Sequence, residues 1–475
     1  MLALVWWLAC PGSRVPADLP VHTLAFGGDV TLGRGLNEAL YDPDRRARIF
    51  AEVAGTLRGA DLALVNAEGV IAGGGRFYDK GESRPYAYRA HPVAMDVLAD
   101  AGIDLLAVGN NHVNDYGPFA MREMLDRARI AGLDYVGGGH HRRDARRPVF
   151  RQVGDTVVAF VGADLTFTQM HAAGKEHAGT LWLPGLDPKR HDAVMETLGR
   201  LLKRARRHAD LVFFTPHWGL NWQDEPSEAT RTLARRIIDA GYDGILGHSA
   251  HRLQGVELID GKPVVYDAGN FVNDYGPPPR DRHSAVFVLD FNRAGVTSVR
   301  VEPAILRRAQ TVRAEGRDLT AVLDRMTRLS EALGTPVIRE DGTLRIACEP
   351  GSLRPRRQRE TPPVRDVPAT PRLAPPDLVL DTLPDTATKA SVRFEGGLEL
   401  VGYEVLMKDL RVPKAGNVVT LYLRATEPVP DDLWVLLEGE RRTEPDATPE
   451  YDRQHHLPGD WLLPGSQWPT GAIVR

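Results

Sequence analysis

Between Val21 and about Asp290 the chain alternates short apolar runs with amphipathic stretches. The runs are HTLAFGGD, ADLALVNAE, IDLLAVGNNH, DYVGGG, TVVAFVGAD, ADLVFFTPHWG, DGILGHSAH, KPVVYDAGNF and SAVFVLDF. They are rich in Val, Leu, Ile and Phe and bounded by Gly, Asp or Asn, as buried strands are. Between them lie HPVAMDVLADAG, GPFAMREMLDRARIAG, HDAVMETLGRLLKRARRHA and SEATRTLARRIIDAG. Two of these open on His-Pro or Gly-Pro and several close on Ala-Gly, the start and stop asymmetry of helices. Strands alternating with helices predict an α/β unit with largely parallel sheets.

Polar residues are placed at one point of this pattern. Asp29, Glu68, Asn111, His112, His217, His248, His251 and Asn270 all follow apolar runs, at the expected C-terminal ends of strands. Open α/β sheets gather their ligands there.

Further along, LTAVLDRMTRLSEALG predicts one more helix and VIREDGTLRIAC a strand-turn-strand. From Pro350 the composition shifts to Pro, Arg and Thr, which predicts a flexible, extended linker over 350–378 separating two units that move independently. From 379 to 475, SVRFEGGLELVGYEVL, NVVTLYLRAT and DLWVLLEGE predict a small all-β, sandwich-like domain. Its last residues, GAIVR, read as the middle of such a domain, to be completed by further strands or a partner.

Composition narrows the function classes. The 475 residues are 43% hydrophobic and 26% charged, enough for a large core and two domains. The 63 acidic residues nearly balance 59 basic ones, and a formal charge of -4 gives no electrostatic case for nucleic acid as a partner. Residues 1–20 begin with the short apolar run LALVWWLAC and predict an export signal or anchor, the alternative being a cytoplasmic protein with a frayed apolar start or a miscalled start codon. The expected location is therefore outside the cytoplasm, periplasmic or at the cell surface. Cys10 stands in a poor copy of a lipobox. Cys10 and Cys348 form no disulfide framework.

The polar constellation supplies an Asp after one strand, a Glu after the next, Asn-His after a third, then His, then His-x-x-His. Imidazole with carboxylate suits Zn, Mn or Fe. One or two such cations would clamp an oxyanion and lower the pKa of a bound water. Isolated histidines elsewhere, including His171 and the pair in GGGHHRRD, are assigned to the surface or to hydrogen-bonded positions, and Asn114 and Asp115 to helix capping.

The motifs LAFGGDVTLGRG, NAEGVI, RPYAYRAHP, VGNNHVNDYG, TPHWGLNW, GHSAHRLQGVELIDGKPVVY and DAGNFVNDY, in this order, resemble the CapA-type poly-gamma-glutamate capsule synthesis family from about Val21 to Cys348. That family is related to calcineurin-like metallophosphatases. The resemblance therefore implies a four-layer αββα sandwich over 21–349. It also implies metal ligands Asp29, Glu68 (as a bridge), Asn111, His217, His248 and His251, with His112 assisting the leaving group. Thr31 stands where relatives carry a ligand His, and GHSAH is one residue wider than the usual His pair. Asn270 and Trp218 are assigned to substrate binding; Trp218 and Trp222 flank His217, with core packing as the alternative for both.

The implied function is a metal-dependent hydrolase of capsule synthesis or export, acting on an anionic surface polymer or phosphate ester beside membrane-bound polymer synthase subunits. The alternative is a non-catalytic accessory protein with a degenerate metal site.

Overall fold

The structure is a computed structural model that describes residues 19–80, 86–167, 169–274, 282–351, 353, 361–373, 379–394, 397–406, 418–429, 435–441, 450–456, 468 and 470–475. The apolar leader and the basic run at 354–359 lie outside these residues. Among the described residues no helix is long and apolar enough to cross a membrane.

Two sheets face each other. In the first, His22–Val30, Leu62–Ala67, Leu105–Ala107 and Asp134–Val136 run parallel and in sequence order. The antiparallel strands His283–Asn292, Gly295–Arg307, Thr343–Ala347 and Ile338–Glu340 extend it on the other side of His22–Val30. In the second, Thr156–Asp164, Leu211–His217, Gly244–Leu246 and Lys262–Val265 run parallel, edged by antiparallel Val149–Val153 and Val256–Ile259.

The period-two alternation of each strand sorts its side chains into layers. Leu24, Phe26, Leu64 and Leu105 of the first sheet meet Val158, Phe160, Leu211 and Phe213 of the second in one buried core between the sheets. Their neighbours point outward. Ala25, Ala63 and Leu106 pack under the helices Ala94–Asp100 and Gly117–Ile130. Val157, Ala159, Val212 and Phe214 pack under His191–Ala205 and Glu228–Ala240. The result is the expected αββα sandwich. Each fully buried Leu or Phe contributes roughly 1.5 to 3 kcal/mol of apolar transfer to it. Helix Glu228–Ala240 shows how local signals set boundaries: Ser227 Oγ accepts from Thr230 N at 3.1 Å, and Gly241 closes the helix at φ 112°.

The run KPVVYDAGNF, which reads as one strand in sequence, is two. Lys262–Val265 belongs to the second sheet, and Asn270–Val272 crosses to the first and pairs parallel with His22–Val30. The crossing brings backbones so close that a Cβ at Gly28 would lie 1.8 Å from the carbonyl oxygen of Gly269. That contact explains why GGD precedes the site.

Beyond Pro350 the structure differs from the free linker expected. Arg365 is buried; its Nε donates to Asp144 Oδ1 at 3.1 Å and its Nη1 to the Tyr135 carbonyl at 2.6 Å. Arg372 makes a two-pronged contact with Asp126, 2.8 Å on each prong. Residues 361–373 are thus tied to the sandwich by charge-assisted bonds that low apolar content did not reveal. The later all-β region forms an antiparallel five-stranded sheet, ordered Val379–Leu380, Ile473–Val474, Val418–Ala425, Leu398–Leu406, Thr388–Phe394, and a separate hairpin of Val435–Arg441 with Glu450–His456. GAIVR supplies Ile473–Val474 inside that sheet.

Candidate metal centre

The parallel strands of both sheets end on the same edge, and their last residues meet. From the first sheet come Asp29, at the end of His22–Val30, and Glu68, just past Leu62–Ala67; Asn111 and His112 follow Leu105–Ala107. From the second come His217, ending Leu211–His217, and His248 and His251 after Gly244–Leu246. A Cβ at Gly247 would lie 2.2 Å from the Tyr266 carbonyl oxygen, so a glycine must precede His248.

Two groups of ligand atoms share one member. Asp29, His217 and His248 form one, and Asp29, Glu68 and His251 the other, with the atoms in each within 4.8 Å of one another. Asp29 is the member common to both groups, whereas Glu68, expected from the resemblance as the bridge, belongs to one of them. In the first group Thr215 Oγ1 lies 3.1 Å from His248 Nε2, His248 Nδ1 2.7 Å from His217 Nδ1, and His217 Nε2 2.9 Å from Asn111 Oδ1. One set of neutral tautomers satisfies the whole chain: Thr215 donates to His248, His248 to His217, and His217 to Asn111. In the second group His251 Nδ1 lies 2.9 Å from Asp29 Oδ2, while its Nε2 is 3.6 Å from Glu68 Oε1. Both oxygens of Glu68 are buried with no hydrogen-bond partner among the described residues.

Charge follows the same division. Burial, then His251's charge, lowers His248 to about 3, and burial with His248's charge holds His217 well below its usual range. Burial opposes a charge on His251 too, but Glu68 and Asp29 raise it to about 10. Burial and the Asp29 charge push Glu68 well above the carboxylate range. Burial also works against the Asp29 carboxylate, yet its bond and charge contact with His251 leave it lowered. A buried carboxyl with two bare oxygens beside Asp29 and His251 is a fit for a divalent cation, which would take the place of the proton.

His112 is held from behind. Its Nδ1 lies 2.8 Å from Asp115 Oδ2, and Asp115 Oδ1 is 2.8 Å from the buried Lys80 Nζ. Its Nε2 faces the centre, 4.0 Å from Glu68 Oε1. Burial and the Lys80 charge keep the imidazole neutral. Asn110 fixes the turn: Oδ1 accepts from the His112 and Val113 amides, and Nδ2 donates to Asn66 Oδ1 and the Ala67 carbonyl. Asn66 in turn donates to Asp29 Oδ1 at 2.7 Å.

The family model described as bacterial capsule synthesis protein PGA_cap matches residues 23–275, the span that builds this centre. The chain belongs to the PGA_cap family. A probable polyglutamine synthesis accessory protein of Mycobacterium tuberculosis is 27% identical over 369 residues, covering 69% of this chain and 96% of that one. The PGA biosynthesis protein CapA of Bacillus subtilis is 30% identical over 290 residues, covering 61% and 73%. Among solved structures, a phosphatase from Mycoplasma pneumoniae aligns with TM-score 0.35 and 12% identity over 64% of this chain and 98% of that one. A putative 5'-nucleotidase from Staphylococcus aureus aligns with TM-score 0.33 and 15% identity over 64% and 58%.

In this PGA_cap chain the sequence-selected residues Asp29, Glu68, Asn111, His112, His217, His248 and His251 come together, and two others do not face an open site. Trp218 is buried, donates Nε1–H to the Tyr266 carbonyl at 2.8 Å and stacks on Tyr266, so it belongs to the core behind the second sheet rather than to substrate. Asn270 is buried as well, and its Nδ2 donates to the His251 carbonyl at 3.1 Å, so it braces the His251 loop. Trp222 is 37% exposed and lies against His251, ring centroids 5.4 Å apart, on the rim. Asp115, read as a helix cap, orients His112 instead. Lys80 and Asn66 carried no signal in sequence, and His171, assigned to the surface or a hydrogen-bonded position, is buried beside Lys80 and Asp115 and lowered to about 3 by burial and the Lys80 charge. Asp267, buried in DAGN, accepts from the Ala250 and Gly269 amides and holds GHSAH in place. Arg34, Trp222, Ser249 and His251, all bordering the centre, are among the seven non-glycine residues at positive φ in the described residues. Backbone strain of that kind gathers where function holds it.

Proposed function

We propose that this PGA_cap protein is a metal-dependent hydrolase of the phosphoesterase kind that serves capsule polymer synthesis outside the cytoplasm, on an anionic polymer or phosphate ester. The observation that carries this reading is Glu68, whose bare oxygens sit between Asp29 and His251 at the mouth of the sheets. Asp29, Glu68 and His251 would hold one divalent cation, Mn, Zn or Fe. A second would be shared by Asp29, His217 and His248, with Asn111 at the edge. When bound, the cation supplies Lewis acidity to an oxyanion.

The chain's own residues do the rest. Asp115 accepts a hydrogen bond from His112 Nδ1–H and leaves Nε2 turned toward the centre, able to accept or return a proton at the scissile group. Because burial and Lys80 hold His112 neutral, proton donation requires an anionic group arriving nearby to raise its pKa. Trp222 offers an exposed ring at the rim.

A non-catalytic accessory role is the second reading, supported by Thr31 where the resemblance calls for a ligand histidine and by the accessory role named for the Mycobacterium tuberculosis relative. Metal analysis of purified protein, followed by turnover assays on phosphomonoester, phosphodiester and polyglutamate, separates the two. Metal with turnover supports the hydrolase, metal without turnover supports the accessory protein, and no metal overturns both.

A further inference from the structure

On the outer edge of the sandwich, where residues 361–373 cross the chain beside Asp134–Val136, lies a cavity of about 580 Å³. Six arginines line it: Arg129, Arg143 and Arg147 from the helix Gly117–Ile130 and the GGGHHRRDARR segment, Arg204 from His191–Ala205, and Arg365 and Arg372 from the linker. Three aspartates line it too, Asp126, Asp144 and the exposed Asp366. Asp126 is taken by Arg372, and Asp144 is shared by Arg365 at 3.1 Å and Arg147 at 3.8 Å. Arg129 pairs with Asp134. Arg143 and Arg204 have no carboxylate partner among the described residues. Burial lowers Arg204, and the charges of Arg147, Arg143 and Arg207 lower it further.

Like charges crowded around a concave volume are costly unless an anion joins them. The volume lies within the roughly 300 to 1,000 Å³ of ordinary ligand sites. The kind of anion follows from what the wall already does: its paired arginines grip carboxylates, Asp126 by two prongs, the geometry in which a planar guanidinium matches a carboxylate. We propose that this cavity binds a polycarboxylate, with Arg143 and Arg204 taking its acidic groups and the docked linker, through Arg365 and Arg372, forming the opposite wall. The site is separate in its residues from the metal centre and does not depend on hydrolysis. It gives a use to two stretches that the centre leaves aside, GGGHHRRDARR and the tied-down linker.

The test is calorimetric titration of the full chain with a hexaglutamate peptide, citrate and tripolyphosphate at low and high salt. Hexaglutamate should bind, more weakly as salt rises. An Arg143→Ala, Arg204→Ala double variant, which breaks no ion pair, should weaken it at least about tenfold with unchanged melting temperature. Glu68→Ala should leave this binding intact, which keeps the result distinct from the fate of the metal centre. Hexaglutamate binding tighter than citrate marks an extended polycarboxylate as the occupant, and equal binding marks a small one. Tripolyphosphate binding tighter than both, no binding of hexaglutamate at low salt, or equal affinity in parent and double variant overturns the proposal.

Discussion

The two ligand groups that share Asp29 are built in opposite ways. The His217–His248 group is neutral and closed: Thr215, His248, His217 and Asn111 satisfy one another in a chain of bonds. The Glu68–His251 group is charged and open, with one carboxyl bare and one imidazole raised to about 10. A buried polar group without a partner costs on the order of 1 to 3 kcal/mol, and more when charged. The difference teaches where a cation gains most. It removes a deficit at Glu68, whereas between His217 and His248 it must first displace a bond already made. The centre should therefore hold a tight ion at Glu68–His251 and a weaker one at His217–His248.

The largest expected effect is at Glu68. Glu68→Ala should abolish tight binding, a loss beyond the 10- to 100-fold that removing an outer partner costs. Metal-free Glu68→Gln protein should melt no lower than the parent, because it loses a bare carboxyl; equilibrium dialysis and thermal melts check both. His112→Ala should leave metal content unchanged and lower any hydrolytic rate by about 10²- to 10⁴-fold. Asp115→Asn should cost about 10- to 100-fold in rate through the orientation of His112, again with metal retained. If either variant loses metal, His112 belongs to the ligand set and the comparison is wrong.

Acidity sharpens the contrast. His251 is raised by Glu68 and Asp29, and Glu68 is itself pushed up by burial and Asp29, so metal-free protein holds protons in this group that must be shed on coordination. Affinity of the tight site should then rise with pH, by up to about tenfold per unit for each proton displaced, and level off near pH 10. Calorimetry in buffers of different ionisation enthalpy reads the released proton directly. The His217–His248 group is already neutral, with His248 lowered to about 3, and should show little pH dependence above neutrality. The smallest effect expected is that of His217→Ala, which should remove the weaker ion and leave the tight one within about tenfold of its parent affinity.

Much of this was legible because it repeats. Short apolar runs ending in Asp, Glu, Asn-His and His placed the strands, the common edge and seven converging residues. The carboxylate common to both groups was not legible, since which one is shared depends on how two sheets face each other. Lys80 and Asn66 stayed hidden because their contacts join positions 35 and 37 residues apart, Lys80 to Asp115 and Asn66 to Asp29, with no local pattern. Trp218 misled because an aromatic beside a ligand histidine reads alike whether its ring turns to solvent or to Tyr266; strand alternation sends it inward. Arg365 and Arg372 lie in a composition that suggests an unbound linker, and only their buried aspartate partners reveal otherwise.

Glu68, with Asp29 and His251, is the group expected to hold the tight cation. Anomalous diffraction from crystals grown with Mn²⁺ tests it at atomic level. The strongest peak is expected within coordination distance of Glu68, Asp29 and His251 Nε2, with a weaker or partial peak beside His217 and His248. A lone peak at His217–His248, or none at either place, would contradict it.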